Sequence, residues 1–249
     1  MHLLPPHGKI DCHDCFSDGQ LQTSPHPKWL IRNDPGAWGS EKPKILILGF
    51  SKGATQTDIY QNGSFDDIAF GGTQTRRNLT KILQRVQLLT LSETVDEKIR
   101  KTEKKFAFGS LIRCSLSRLD KNNSLKTSGP LIIKSFSEIP GVISQCTRNF
   151  LSSLPDSVEI ICFLGVADPY IKNCRKIIKK IYPHNFSIIN DVCYKTDDFT
   201  CIHLTHPSKG NGTIGAWLEA DPNNSSTPKR QITSAKKREL AIEGLRHNG

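Results

Sequence analysis

Three segments dominated by apolar residues constrain the fold of this sequence more than any other feature. They are Lys44–Gly49, Val158–Gly165 and Phe199–Leu204. Apolar runs of this length are typical of strands that are buried on both faces, as in a parallel sheet. Segments with helical periodicity lie among them, at Thr73–Leu89, Ile139–Leu151 and Asp168–Ile181. Strands that alternate with helices predict an α/β fold, a three-layer α/β/α sandwich with a mostly parallel central sheet.

Weaker patterns complete the expected domain. Phe106–Arg113 and Phe186–Ile189 are predicted as further strands, and Gly212–Leu218 as a short helix. Residues 50–72 and 115–130 are polar and are expected to form loops. A single domain is predicted over residues 1–220, in which residues 1–40 have little periodicity and need a tether to be ordered. Residues 221–249 are predicted as a basic C-terminal tail, with a helix over 234–246.

The charge of the chain favours a polyanionic partner. Its 34 Lys and Arg residues outnumber 24 Asp and Glu residues, which gives a net charge of +10. Lys and Arg side chains that neutralise phosphates release counterions, so a basic protein gains affinity for nucleic acid that is independent of sequence. Solubility and attraction to an anionic membrane surface are the alternative explanations of the charge. A nucleic acid is the partner that we expect.

The sequence also predicts the compartment. No window approaches the roughly 18 to 20 apolar residues of a membrane span. The first residues are broken by two prolines and lack the apolar core of a signal peptide. We therefore expect a cytoplasmic protein with access to DNA, active as a monomer, whose eight cysteines are mostly reduced or bound to metal.

His206 stands where the last apolar segment ends. The strand Phe199–Leu204 runs into the corner Thr205–Ser208, and the Gly-rich loop Lys209–Gly212 follows. In α/β folds, sites are built at the carboxyl ends of the parallel strands, so His206 is a candidate site residue. On this tetrapeptide alone, a histidine in an ordinary strand-to-loop turn remains the alternative.

Several short motifs follow one another in a characteristic order along the chain. They are Cys12–Cys15, Gly49–Gly53, Phe70–Gly72, Ser110–Cys114, a helix with Cys146, Leu164–Ala167 and His206–Ser208. Their order resembles the uracil-DNA glycosylase superfamily, especially its iron–sulfur branch. The resemblance covers about residues 12–218 and depends on order and spacing, because no single motif is specific.

This sequence departs from the family pattern in its first motif. Gly49–Gly53 reads Gly-Phe-Ser-Lys-Gly, whereas the branch has Gly-Glu-Ala-Pro-Gly. Phe50 therefore replaces the glutamate that would position the attacking water, and Ser51 stands where other relatives have Asp or Asn. Ser110 occupies the position of the base-reading Asn. The scaffold and the histidine match the family, but the water-activating carboxylate and the uracil-reading amide do not.

The resemblance implies a DNA-repair glycosylase that flips uracil or a related deaminated base and hydrolyses its N-glycosidic bond, leaving an abasic site. His206 would stabilise the charge on the departing base, with Ser51 as the second catalytic candidate. The predicted base-binding residues are Gly49, Phe50, Phe70 and Ser110; Phe70, in Ala69–Gly72, would stack on the base or else be an ordinary core residue. The predicted DNA contacts are Lys52, Arg76, Arg77, Ser208, Lys209 and Asn211.

Three questions stay open at this point. A missing carboxylate could be supplied by Asp58, Asp66 or Asp67, each of which is otherwise a solvated loop acid. The same fold could serve as a non-hydrolytic protein that binds damaged or abasic DNA. A nucleotide-handling protein with Gly49–Gly53 as a phosphate cradle is more remote, because the loop lacks the P-loop pattern.

The cysteines form a second group of candidates. Cys12, Cys15, Cys114 and Cys146 match the cluster-binding positions of the resembled branch. Four thiolates suit a [4Fe–4S] cluster, with a structural zinc ion or no metal as alternatives. Such a site would tie the N-terminal segment to the sheet. The remaining cysteines are expected in the core: Cys162, Cys174, Cys193 and Cys201.

Overall fold

The computed structural model describes residues 2–62, 65, 70–129, 131–224, 226 and 228–246. Its strands are β1 (Gly8–Lys9), β2 (Gln22–Thr23), β3 (Trp29–Arg32), β4 (Gly36–Gly39), β5 (Ile45–Gly49), β6 (Phe106–Ser110), β7 (Ser115–Leu119), β8 (Leu125–Lys126), β9 (Ile160–Leu164), β10 (Ser187–Asn190), β11 (Cys193–Lys195) and β12 (Thr200–Leu204). Its helices are α1 (Ala54–Asn62), α2 (Thr73–Arg85), α3 (Val95–Lys98), α4 (Leu131–Glu138), α5 (Pro140–Leu151), α6 (Asp168–Ile181), α7 (Ile214–Glu219) and α8 (Lys229–Arg246).

The apolar runs form the centre of one large sheet. Its strand order is β1-β4-β6-β5-β9-β12-β11-β10. The four central strands β6, β5, β9 and β12 are parallel, and antiparallel strands extend the sheet at both edges. The carboxyl ends of β5, β9 and β12 therefore meet at one edge of the sheet.

Helices cover both faces of this sheet. Because side chains alternate along a strand, Leu46 and Leu48 of β5 pack on one face, with apolar residues of α4, α5 and α6. Ile45 and Ile47 pack on the other face, with residues of α2, α7 and α8. The predicted three-layer α/β/α arrangement with a parallel central sheet is thus confirmed.

The N-terminal segment is more regular than its composition predicts. β4 pairs with β6 in the large sheet, and β3 pairs with β7 in a second, four-stranded sheet. Trp29 and Trp38 are buried, and the indole N–H of Trp29 donates to Glu138 Oε2 at 2.7 Å. Strand pairing and two tryptophans therefore order this segment. Its strands are two to four residues long, too short to show a period of two.

Other elements differ locally from the sequence prediction. Helix α1 lies inside the expected loop 50–72, and β7 and β8 lie inside the expected loop 115–130. The strand predicted over Phe106–Arg113 ends at Ser110. The helix predicted to reach Leu89 ends at Arg85, close to Gln87, whose φ of 62° lies in the left-handed region.

The C-terminal segment packs on the domain as helix α8. Arg238 is buried and its guanidinium donates to the carbonyls of Trp217 at 2.9 Å and Ala220 at 3.0 Å, at the end of α7. Gly244 lies against β11, where a Cβ would overlap the sulfur of Cys193. Within the described residues, no helix is long and apolar enough to cross a membrane.

Candidate active site

His206 lies two residues beyond β12, and its ring is held in one tautomer. The backbone N–H of Ser208 donates to Nδ1 of His206 at 3.2 Å. Since Nδ1 accepts this bond, the single proton of the neutral ring lies on Nε2. Burial lowers the pKa of His206, because it disfavours the charged imidazolium. His206 is therefore a neutral N–H donor at pH 7.

The loop that carries His206 is fixed by amide side chains. Asn211 Nδ2 donates to Thr205 Oγ1 at 2.9 Å and to the carbonyl of His206 at 2.7 Å. Asn78 of α2 donates to the carbonyl of Pro207 at 2.8 Å. Asn211 was predicted to contact DNA, but its amide nitrogen is already used to close this loop. The structure thus corrects its role to a clamp, and it adds Asn78, which the sequence does not single out.

A second histidine supports the same strand end from inside the core. His203 is buried, and its Nδ1 donates to the carbonyl of Gly165 at 3.0 Å, while Nε2 lies 3.2 Å from the hydroxyl of Tyr194. Burial lowers the pKa of His203 to about 3. This neutral ring ties β12 to the turn after β9. The sequence shows it only as a histidine inside an apolar strand.

A cavity of about 520 Å³ opens beside His206, within the usual size range of ligand sites. Leu164, Val166 and Tyr170 contribute apolar wall, and helix α8 closes one side. α8 is fixed there by Lys237, whose ammonium donates to the carbonyl of Val166 at 2.6 Å and pairs with Asp168 at 2.5 Å. The segment predicted as a tail is therefore part of the wall of the candidate site.

Three of the predicted base-binding residues come together at the end of β5. Gly49 pairs with Ser110 of β6. A Cβ placed on Gly49 would lie 3.8 Å from Phe70 Cζ and 3.8 Å from Ser110 Oγ. Phe70 itself is buried, with its ring against Trp38 and Phe108. Gly49 therefore lies close to both an aromatic ring and a hydroxyl at the end of β5.

The strand register places the two halves of the site level with each other. Leu48 pairs with Phe163 on β9, and Phe163 pairs with His203 on β12. Ser51 lies three residues after Leu48, and His206 lies three residues after His203. Since neighbouring strands lie about 4.8 Å apart, these loops start roughly 10 Å from each other. The hydroxyl of Ser51 is buried and has no hydrogen-bond partner within the part of the chain that the structure describes.

Two residues of the first motif have structural roles instead of the predicted ones. The ring of Phe50 is buried in the core near Phe136 and Tyr170, at centroid distances of 5.9 and 6.3 Å, so it does not face a base. Lys52 is also buried; its Nζ donates to the carbonyl of Arg113 at 2.5 Å and lies 3.3 Å from Asp34 Oδ1. The predicted phosphate contact of Lys52 is therefore wrong.

Asp34 completes this buried pair. Its carboxylate accepts the backbone N–H of Ser115 at 2.6 Å and the hydroxyl of Ser115 at 2.5 Å. Burial lowers the pKa of Lys52, and the nearby Asp34 opposes this shift. The pair joins the loop after β5 to the start of β7. Because Asp34 and Lys52 are 18 positions apart in the sequence, only the fold reveals their partnership.

The remaining predicted DNA contacts divide into two groups. Arg76 is committed to structure: its Nη1 donates to the carbonyl of Gly71 at 2.7 Å and its Nε pairs with Asp96. Arg77 and Lys209 are exposed, and Ser208 is half-buried. These three remain candidate DNA contacts, whereas Arg76 is corrected to a tie between α2 and α3.

The acidic candidates add no carboxylate to the site in the part of the chain that the structure describes. Asp58 is exposed and lies 3.5 Å from Arg32, as a surface ion pair. Asp66 and Asp67 lie outside the described residues, as does Ala69 of the Phe70 motif.

The four predicted metal-binding cysteines line one small cavity of about 20 Å³, between the N-terminal segment, the turn after β6 and α5. Burial raises the pKa of Cys15, that of Cys114 to about 12, and that of Cys146 to about 11. The backbone N–H of Arg113 donates to the sulfur of Cys146 at 3.3 Å. Among the described residues, no three His, Cys, Asp or Glu side chains are arranged to hold a single metal ion. What the structure provides at this place is four thiol side chains that line the same cavity.

The other four cysteines are buried in the core, as predicted: Cys162, Cys174, Cys193 and Cys201. Burial raises the pKa of each thiol above its ordinary value. They are packing residues.

A comparison with solved structures finds the crystal structure of wild-type SMUG2 from Pedobacter heparinus, with a TM-score of 0.39 and 10% sequence identity. The match covers 84% of this chain and 76% of that one. No family model and no curated protein matches the sequence. We therefore infer function from the residues of the site.

Proposed function

We propose that this protein is a monofunctional DNA glycosylase, which hydrolyses the N-glycosidic bond of uracil or a related deaminated base in DNA and leaves an abasic site. One observation carries the proposal. The Ser208 N–H bond to Nδ1 fixes His206 as a neutral Nε2–H donor at the edge of the sheet where the parallel strands end. The resemblance of the motif order to uracil-DNA glycosylases supports the same assignment.

The first requirement of this chemistry is that the negative charge on the departing base is stabilised. Cleavage of the bond leaves negative charge on the base, spread over its carbonyl oxygens. A neutral imidazole N–H can donate to such an oxygen and stabilise it, most strongly in a site from which water is excluded. Because the pKa of His206 is lowered, no proton has to be lost before the ring reaches this form.

The flipped base needs a cradle with an apolar face and a polar edge. We propose Gly49, Phe70 and Ser110 for this cradle, with the ring of Phe70 facing the base and the hydroxyl of Ser110 bonding its edge; the support is that all three residues meet at the end of β5. A serine hydroxyl donates or accepts, so it discriminates less between bases than an amide with fixed donor and acceptor atoms. We expect a broad range of deaminated bases.

The group that we propose to orient the attacking water, on the other side of the sugar, is the hydroxyl of Ser51. Ser51 Oγ is buried and has no hydrogen-bond partner in the described structure, so we propose that it orients the water once DNA binding opens a path to it. It is a poor general base, because a hydroxyl does not accept a proton at pH 7. The sugar cation then forms largely without assistance by a base, and turnover is slow.

A second function has support from the same loop. Phe50 is packed in the core and Ser51 carries no charge, so the first motif lacks a carboxylate. A protein that binds abasic or damaged DNA without hydrolysis needs only the cradle, the histidine and the basic surface. Tight retention of abasic DNA, with no product from any base, would favour this function.

We also propose that Cys12, Cys15, Cys114 and Cys146 hold a [4Fe–4S] cluster, with zinc as the alternative. The support is their convergence on one cavity and the N–H bond from Arg113 to the Cys146 sulfur. Bound there, the group would join the N-terminal segment to α5. A brown protein that loses its colour on Cys12→Ala substitution supports a cluster, and a colourless protein with zinc supports the alternative.

The activity is tested with a panel of oligonucleotides. Single- and double-stranded substrates containing uracil, hypoxanthine or xanthine are incubated with the protein, and abasic products are cleaved with alkali. We expect strand scission for at least one base. If no substrate is cleaved but abasic DNA is retained, the proposed glycosylase activity is wrong and the DNA-binding function takes its place.

A further inference from the structure

The charges buried around the cysteine cavity do not balance. Two cations are buried beside it, Lys52 and Arg113, each about 2% exposed. One buried carboxylate, Asp34, pairs with Lys52. Asp14 also lines the cavity, but it is exposed and accepts hydrogen bonds from the amides of Gln145 and Asn149. The region therefore holds one buried positive charge more than its carboxylates neutralise.

Arg113 carries the surplus charge. Its guanidinium forms no ion pair with any carboxylate in the described residues, and its Nε has no hydrogen-bond partner there. Its nearest aromatic contact is the ring of Phe150, with the guanidinium carbon 5.1 Å from the centroid. The guanidinium of an arginine stays protonated in proteins, so Arg113 carries its charge at pH 7.

The position of this side chain is built into the sheet. A Cβ at Gly109 would overlap the guanidinium, so the arginine fits against β6 only because position 109 is glycine. On its other side lies the cavity that the four cysteines line. A buried charge without a counter-charge is strongly destabilising, and a fold that keeps it needs an anion nearby.

We propose that Arg113 is the counter-cation of an anionic, thiolate-bound metal group in this cavity. The inference rests on the cysteine site of the proposed function and does not depend on glycosylase activity. Four thiolates around a [4Fe–4S] core or a zinc ion leave a net negative charge. Arg113 offsets that charge at the face of α5, whereas Lys52 remains neutralised by Asp34. Arg113 is therefore a positioning residue for the metal group and does not bind it directly.

Metal retention tests this role. The full chain is purified without oxygen, loaded with iron and sulfide or with zinc, and the release of metal to a chelator is timed. We expect Arg113→Gln to release metal about 100-fold faster, since loss of one partner of a buried charge pair costs about 3 kcal/mol or more. Arg113→Lys, which keeps the charge, should lie between this variant and the wild type. Arg148→Gln, an exposed arginine of α5, is the matched control and should release metal at the wild-type rate.

Melting temperatures separate this role from simple packing. Arg113→Met should lower the melting temperature of the metal-loaded chain. In the metal-stripped chain, or with all four cysteines replaced by alanine, the same substitution should raise it, because the charge then has no partner. This reversal of sign supports the proposal. A decrease in both states would overturn it and leave Arg113 as a packing residue.

The possible failures are distinct. A wild-type chain that loads neither iron nor zinc would overturn both the cysteine site and the role of Arg113. A chain that loads metal but is unaffected by Arg113→Gln would overturn the inference alone. A chain that cleaves no base substrate would refute the proposed activity and leave the inference standing.

Discussion

The two halves of the candidate site are built in different ways. At the end of β12, main-chain and amide hydrogen bonds hold His206 in one tautomer and one orientation. At the end of β5, a buried ion pair fixes Lys52, while the neighbouring Ser51 keeps a hydroxyl without a partner in the described structure. The half that we propose to stabilise a departing base is thus preorganised, and the half that we propose to position the water is rigid but chemically weak. We conclude that leaving-group stabilisation supplies most of the proposed catalysis.

The largest effect is expected from a substitution that removes the ion pair between Asp34 and Lys52, which fixes the β5 half of the site. Asp34→Ala removes the counter-charge of Lys52, and we expect it to lower the free energy of unfolding by about 3–5 kcal/mol. Denaturant unfolding measures the change. In the double variant Asp34→Ala, Lys52→Met the buried charge is gone, and most of the stability should return. A double variant as unstable as the single one would contradict the account of this pair.

The next largest effect is expected from a substitution in the β12 half of the site. His206→Ala removes the N–H donor to the departing base, and we expect the rate of base release to fall by about 100- to 1000-fold, as for loss of one oxyanion donor. Single-turnover rates and DNA affinity are measured together. Affinity should stay near the wild-type value, because the proposed phosphate contacts, such as the exposed Lys209, are unchanged. An unchanged rate would remove His206 from the mechanism.

Low pH should lower the free energy of unfolding, because His203, which supports the end of β12, is buried in its neutral form. Its pKa is about 3 in the folded protein and 6.5 when exposed, so the unfolded chain binds more protons between these values. Stability is therefore full above pH 6.5 and is lost as the pH falls, by about 1.4 kcal/mol per pH unit. Unfolding at a series of pH values measures this slope. His203→Gln should flatten it, and a slope that is the same in both proteins would assign the acid sensitivity to other groups.

The smallest effect concerns Ser51. Ser51→Ala should slow base release by about tenfold or less, since one neutral hydrogen bond contributes about 1 kcal/mol. The measurement is again single-turnover release from the best substrate of the panel. A loss as large as that of His206→Ala would show that the β5 half does more chemistry than its weak group allows.

The sequence predicts the layers of this fold better than its details. Lys44–Gly49 and Asp168–Ile181 are long and strongly patterned, and both form the expected elements. Strands such as β2, with two residues, carry no such pattern. The position of His206 follows from the general rule that sites form at the carboxyl ends of strands.

The roles of charged residues depend on burial, which composition does not reveal. Lys52 and Arg76 look like surface cations in the sequence, yet one is buried on Asp34 and the other is tied to Asp96. Arg113 lies in the motif Ser110–Cys114, where the sequence does not show that it is buried. Among the described residues it has no carboxylate partner, a result of how β6, α5 and the N-terminal segment pack. Long-range partners of this kind become visible only when the chain is folded.

The protonation state of His206 tests the central claim most directly. Nitrogen chemical shifts of the ring, recorded by NMR between pH 4 and 8, report which nitrogen carries the proton. We predict a neutral ring at pH 7 with the proton on Nε2 and a bare Nδ1, and a titration below the ordinary histidine pKa of 6.5. A proton on Nδ1 at pH 7, or a titration above 6.5, would contradict the account.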